Sequence, residues 1–506
     1  MNPALLPLFA AVPLLAAGLL AIARQRALGR AVMLAVPAAT TAGGIALLVV
    51  HVDQPVLAHH VGGFVPGIAI PFVSDTLTAI MLTVTGLTTL ACAAFLIRTG
   101  EDCYRFVPPL AVMLTGGVNG AVLTGDLFNL FVFIEVMLLP SYALLAVTGT
   151  WRRLGAGRLF ILVNLLTSTL LLMGVGLLYG AAGTVNLAAL AGAAGRDPRI
   201  GLAVALVLTA LAIKAGVVPV HGWLPRAYPA TSAGIMALFS GLHTKVALYA
   251  IYRIYATTYG GAPAPWVGVL AALAVVTMIV GAVSTVAERR VRSALAFQMV
   301  SGIGHILIGL VVFTTASLAA GIFYLAHHII TMGALLLGSG AIERVYGSSR
   351  FDRLRGLAKR EPLIAVVFGL GLFSLVGLPP TSGLWGKVGL VLGAAEASSG
   401  LAALLIGSVV AASIASLMAL QRVWGEVFWG APMEKYRPDD LRTGRGEPVP
   451  LPDDVRIGGT LAAPSVALIG LSVAIFLTPG VLVPIATRAA TGLVELQPYV
   501  EAVLGR

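Results

Sequence analysis

Lysine is scarce in this chain, with five among 506 residues: Lys214, Lys245, Lys359, Lys387 and Lys435. Charge of either sign is scarce as well. Asp, Glu, Lys and Arg make up 10% of the residues, against about 25% in soluble domains. Hydrophobic residues make up 58%, and the mean hydropathy is +0.97. So little charge cannot clothe a water-soluble surface of this size, which excludes a soluble globular protein and leaves a membrane protein with no separate soluble domain. Cysteine is nearly absent. Cys92 falls in an apolar run and Cys103 in a short connection, with no CxxC and no partner spacing, so both read as inert packing residues. No nucleotide-binding loop, flavin signature or iron–sulfur spacing occurs, so no cofactor and no covalent chemistry are expected.

What is abundant is apolar length. Runs of about 20 residues, enough to cross a hydrocarbon core, lie near 4–23, 31–51, 72–97, 106–124, 127–148, 159–180, 201–221, 232–256, 263–286, 293–315, 317–340, 362–394, 401–421 and 459–484. The first carries its basic cluster (Arg24, Arg26, Arg30) after the apolar run, so it reads as a retained span and not a cleaved signal. The twelfth is too long for one straight helix and contains Pro379 and Pro380, so two half-helices are expected. The fold class is therefore all-α and polytopic, with about 14 transmembrane helices.

Of the 32 Lys and Arg, 24 lie in the odd-numbered connections, 4 in the even-numbered connections and tails, and 4 inside spans, three of them lysines and the fourth Arg253 near the end of the eighth. The positive-inside rule then makes the odd connections cytoplasmic and puts both termini outside the cell membrane. The net charge of +11 is thus a record of topology, and no nucleic-acid partner is expected. The longest polar stretch, Gln421 to Ile457, falls on the cytoplasmic side. It reads either as a surface amphipathic segment or as a docking site for a partner.

The three lysines inside spans, Lys214, Lys245 and Lys387, carry the functional signal. A charge at bilayer depth costs about 3 kcal/mol on the most lenient scale. Lysine can also shed its proton when buried, which arginine cannot. This division points to a proton or ion pathway. Glu135, in the middle of the fifth span, is the natural partner of Lys214. A carboxylate beside the lysine favours its charged form, so separating the two would release a proton; the alternative is a static salt bridge between helices. Lys245 and Tyr249 share one helix face, while His243 points largely elsewhere. His243, His305, His327, His328 and Asp75 are candidate relays, since imidazole titrates in the working range. Adjacent histidines on a helix do not converge, so no metal site is expected. Pro219 follows Lys214, and Pro379 and Pro380 precede Lys387, so two spans break beside their lysine. Broken helices at matching places in two halves mark transport sites built from inverted repeats. Spans 4–8 can be laid over spans 9–13 so that the breaks coincide.

The stretch KAGVVPVHGWLPRAYPATSAGIMALFSGLHTKVALYAIYR resembles the signature of the proton-translocating antiporter family. That family includes the antiporter-like subunits of respiratory complex I, related hydrogenase subunits and the large subunits of Mrp-type cation/proton antiporters. GLPPTSGLWGK resembles its broken twelfth helix, and DLFNLFVFIEVMLLPSYALL most resembles the version of its fifth helix found in the MrpD branch. The resemblance implies two inverted five-helix repeats with helices 7 and 12 broken. The parts would be spans 1–3 (1–105), the first repeat (106–256), the second repeat (263–421), a cytoplasmic polar loop (422–458) and the last span with its tail (459–506). It implies proton-transfer roles for Glu135, Lys214, Lys245 and Lys387. The partners would be the other subunits of a multisubunit complex, H⁺, a monovalent cation (Na⁺ first) and the lipid bilayer. The alternative is a proton-pumping subunit of a respiratory or hydrogenase complex. One departure from the family pattern is Ala230-Thr231-Ser232-Ala233 ahead of the eighth span, where helix-start geometry is expected to differ.

Overall fold

A computed structural model describes residues 2–147, 151–437 and 447–505, without the side chains of 151–153. The expected spans appear as helices in the expected order. The first seven are α1 (Leu8–Ile22), α2 (Arg26–Val50), α3 (Thr76–Thr99), α4 (Val107–Leu123), α5 (Leu127–Ala146), α6 (Trp151–Ala182) and α7 (Pro198–Ala215). They are followed by α8 (Ala233–Thr258), α9 (Val267–Ser284), α10 (Val291–Val312), α11 (Thr315–Tyr346), α12a (Pro362–Val376), α12b (Ser382–Ala394), α13 (Ser399–Val427) and α14 (Gly459–Leu477). Among the described residues, twelve helices are long and apolar enough to cross a membrane. The two other expected spans are α4, with 17 residues, and the divided α12.

Two boundaries differ from expectation. Hydropathy starts the third span at residue 72, but Pro71–Asp75 is a strand, paired antiparallel with Val56–His60. Its residues are apolar enough to join the run in sequence, yet Asp75 caps α3 by accepting from the Thr78 amide, so the helix begins at Thr76. Hydropathy carries the last span to residue 484, but the helix ends at Leu477. Pro479, which has no amide hydrogen to donate, starts a separate helix α15 (Pro479–Val494), and α16 (Gln497–Leu504) follows. Of the polar stretch Gln421–Ile457, residues 438–446 lie outside the described residues.

Connections alternate between the two ends of the bundle. Asp126 bridges Asn186 and Phe72 bridges Thr124, which joins three even-numbered connections at one end; Arg290 bridges Arg350 at the other. The Ser232 hydroxyl caps α8 by accepting from the Ile235 amide, so the departure at Ala230–Ala233 still starts a helix cleanly. Packing in lipid relies on close approach more than on hydrophobicity. On α2 and α3, a Cβ on Gly44 would sit 2.6 Å from Thr83 Oγ1, and one on Gly86 would sit 2.7 Å from Thr41 Oγ1, so each helix notches the other. Helices α8 and α11 form the centre, and α11 is flanked by α3, α8, α10, α12b and α14. At 32 residues, α11 is about 48 Å long and outruns a hydrocarbon core of about 30 Å.

Candidate functional site

The two breaks are built alike. Helix α7 ends at Ala215, one residue after Lys214, and is capped by the left-handed Gly216 (φ +88°); α12a ends at Val376 and is capped by the left-handed Gly377 (φ +94°). Only glycine takes that conformation without strain. In each, the glycine amide and the next amide turn back onto the last helical turn: Gly216 and Val217 onto Ala212 O, Gly377 and Leu378 onto Phe373 O. Three residues beyond each glycine stands a proline, and Val218–Pro219 and Pro379–Pro380 are both cis. The carbonyls freed at membrane depth must be met within the protein. The Trp223 indole donates to Ile213 O (3.0 Å), and the Thr381 hydroxyl donates to Leu378 O (2.8 Å).

The first lysine sits beside its break. Lys214 is buried, 3% exposed, and donates to Asn164 Oδ1 at 3.1 Å. Glu135 accepts from the Ser168 hydroxyl. Asn164 and Ser168 stand one turn apart on α6, and that helix stands between the two charged side chains. Glu135 and Lys214 lie within electrostatic reach, but no ion pair within 4.0 Å joins them. In this structure the expected contact pair is therefore drawn apart, with each partner held by α6.

Helix α8 carries the centre. His243 bonds through Nε2 to Ser141 on α5 (2.7 Å), edge-on to Phe239 and Phe160, and faces the Lys214 side. Lys245 is fully enclosed, and its amine reaches only Thr244 Oγ1 at 3.2 Å. Its neighbour on α11 is His328, whose ring lies against Gly302 of α10 and whose two nitrogens are both without a hydrogen-bond partner.

His327 and His328 diverge, as adjacent positions on a helix must. His327 Nδ1 meets Ser382 at the start of α12b (2.9 Å) and Thr331 (3.2 Å), while its Nε2 is unpartnered. Ser382 continues to Ser472 on α14 (2.8 Å), and Ser472 to Ser374 on α12a (3.3 Å). Tyr324 lies between the imidazoles, stacked on His305 at 5.0 Å and edge-on to His327 at 5.1 Å. His305 bonds the Ser301 carbonyl through Nδ1 and leaves Nε2 free. Lys387 closes the line. It is 7% exposed, donates to Ser413 on α13 (2.7 Å), and opens on a groove of about 420 Å³ between α12b and α13. A row of side chains thus extends from α5 to α13, buried except for the half-buried Glu135, and several nitrogens in it have no hydrogen-bond partner.

Asp75 stands apart from that line. Burial alone would raise its carboxyl pKa, but Arg253 Nη2 at 2.6 Å more than offsets this and holds it below the usual range. Arg253, three residues from the end of the eighth apolar run, lies inside α8 and is 4% exposed. It is a fourth buried base, and its place near the end of the run gave no sign of its burial. Asn164, Ser168, Ser382 and Ser413 were also missed. The polar pair at 164 and 168, four apart inside an apolar run, was the available signal for a facing charge.

Similarity to known proteins agrees with this geometry. Residues 124–415 match the family model described as NADH:quinone oxidoreductase/Mrp antiporter, TM, over more than half of the chain. The chain belongs to that family. Within the family, it is 32% identical to the D subunit of the Na(+)/H(+) antiporter of Alkalihalophilus pseudofirmus over 85% of this chain and 84% of that one. It is also 32% identical to the D subunit of the Na(+)/H(+) antiporter of Bacillus subtilis, over 88% and 87%. Among solved structures, a chain of the Mrp complex from Dietzia sp. superposes with TM-score 0.94 at 45% identity, covering 99% of both chains. A chain of respiratory complex I from Thermus thermophilus superposes with TM-score 0.78 at 26% identity, covering 97% of this chain and 99% of that one.

Proposed function

We propose that the chain is the proton-conducting subunit of an Mrp-type multisubunit Na⁺/H⁺ antiporter, a secondary transporter in the cell membrane with both termini outside. The observation that carries this is the row of enclosed titratable side chains from Lys214 to Lys387, with the half-buried Glu135 beside its first member. Greater likeness to the Na(+)/H(+) antiporter subunits and the Mrp complex than to respiratory complex I favours this reading over a respiratory subunit. The matching breaks at Gly216 and Gly377 support spans 4–8 and 9–13 as inverted repeats.

Each group has a role its surroundings allow. Glu135 closing on Lys214 favours the ammonium, and Asn164 and Ser168 hold the two apart in the alternative state. A proton released from Lys214 passes by His243 to Lys245, then by His328, His305 and His327 to Lys387. Imidazoles suit this because each nitrogen can take a proton as the other gives one up. Partner subunits supply the remaining cation route.

The test is Na⁺-dependent dissipation of a pH gradient in everted vesicles carrying the complete complex. Wild type is compared with Glu135→Ala, Lys214→Ala and Lys387→Ala, each after equal assembly is confirmed. Collapse of exchange in assembled variants supports the path. Normal exchange in all three removes it, and proton uptake driven only by electron donors favours the respiratory reading.

A further inference from the structure

The line described above leaves one set of buried polar groups unused. Tyr249 stands one turn beyond Lys245 on the same face of α8. Its hydroxyl donates to Val122 O (2.6 Å) and meets Thr78 Oγ1 (2.9 Å). The Thr78 amide donates to Asp75 Oδ1 (3.0 Å), and Asp75 Oδ2 holds Arg253 at 2.6 Å. Beyond Asp75, Ser74 Oγ meets His51 Nε2 (2.9 Å), and His51 Nδ1 meets the carbonyl of exposed Gln54 (2.8 Å) at the end of the bundle that bears the β-hairpin. This string runs from Tyr249, one helical turn from the central lysine, toward one membrane face.

It is also closed. Arg253 lies 5.8 Å from the Tyr249 ring and 5.2 Å from the ring of Tyr499 on α16, so the guanidinium fills the space between the string and the C-terminal helix. Its Nη1 is buried with no hydrogen-bond partner, which is costly for a charged donor and marks a group not fully satisfied where it sits. Helix α16 is fastened over it by His60 Nε2 to Val503 O (2.7 Å). A buried ion pair does little for stability against an apolar alternative, so its retention here calls for another role.

We propose that the Asp75–Arg253 ion pair, clasped under Tyr499, is a gate that closes a second proton exit from Lys245 toward the hairpin end of the bundle. The inference rests on Lys245 as a proton carrier. When Arg253 withdraws, the Lys245 ammonium gives a proton to Tyr249 as Tyr249 passes its own hydroxyl proton to Thr78. The Thr78 hydroxyl, which donates to Val122 O (3.2 Å) while the gate is shut, is then met by the Asp75 carboxylate that Arg253 no longer holds, and gives it the proton. Lys245 ends neutral and Asp75 ends as the acid, with no net change at the two hydroxyls. Kept shut, the gate prevents protons that reach the centre from short-circuiting the exchange cycle.

The experiment measures passive proton leak in the absence of Na⁺, in vesicles carrying the complete complex with an imposed pH gradient. Arg253→Gln is expected to speed decay of the gradient several-fold. Adding Tyr249→Phe, or Lys245→Ala, to Arg253→Gln is expected to return the leak to the wild-type rate. Tyr499→Ala is expected to leak in the same way while leaving no buried charge unpaired, so it decides the matter if Arg253→Gln does not assemble. Assembled variants as tight as wild type overturn the gate. So does a leak that survives Tyr249→Phe or Lys245→Ala, since that reports general loosening. Na⁺-dependent exchange in the Glu135, Lys214 and Lys387 variants is a separate readout, so failure of the main path and failure of the gate are distinguishable.

Discussion

At the scale of single residues, Asn164 holds the Lys214 amine in the absence of a contacting carboxylate. Asn164→Leu strips that amine of its partner, at a cost of about 1–3 kcal/mol for the unpaired buried group. Na⁺-dependent exchange should fall several-fold while native gels still show the intact complex; unchanged exchange would reduce Asn164 to a space-filler. A second expectation concerns Asp102, between α3 and α4, which accepts from Arg26 and Arg30 and whose side chain is fully enclosed. Burial by itself would raise its carboxyl pKa, yet hydrogen bonds from the two arginines more than offset this and leave it low. A carboxyl depressed in the folded state stabilises above its unfolded value of about 4, and that contribution is lost as pH falls through the folded value. Both arginines are roughly half exposed, so Asp102→Asn should cost only about 1 kcal/mol at neutral pH. Melting curves of the purified protein should show the two forms converging as the pH falls well below 4. Of the candidate site, the lysines were the legible part. Three lysines in apolar runs are costly wherever they lie, and all three are buried. Their hydroxyl and amide partners were not legible in the same way, because a serine or asparagine costs little in a span and is common there.

At the scale of elements, hydropathy placed the helices because a span must be apolar over about 20 residues. It misplaced two ends where an apolar run continues past a cap. Pro71–Asp75 is as apolar as a helix start but pairs as a strand, and Thr478-Pro479 interrupts a run that reads as continuous. The breaks at helices 7 and 12 were legible because proline announces them, whereas the left-handed glycines three residues earlier gave no comparable signal. Gly377→Ala tests that element. The strained φ costs about 1 kcal/mol or more, and the new Cβ would sit 2.6 Å from Lys387 Cδ, so the amine must leave its place against Ser413. Exchange should drop several-fold, and by more than the shift in melting temperature would explain. Equal losses in both measurements would mean that the break is only structural.

At the scale of the whole molecule, the alternation of connections was legible from the basic residues, because short loops record which side they face. Cysteine accessibility can read the orientation directly in a Cys92→Ala, Cys103→Ala background. Glu501→Cys should react with an impermeant maleimide added outside intact cells, and Glu434→Cys only after permeabilisation; the reverse pattern would invert the topology. Helices α8 and α11 add a consequence for biogenesis. They are the two spans whose most apolar stretch is wholly enclosed, and they are also the least hydropathic of the twelve. Lipid alone therefore retains them least, and the earlier helices must wait in the bilayer with their inner faces uncovered until these two arrive. A defect in either would surface first as a chain stalled during insertion and cleared by membrane proteases, before any fault in transport could be measured.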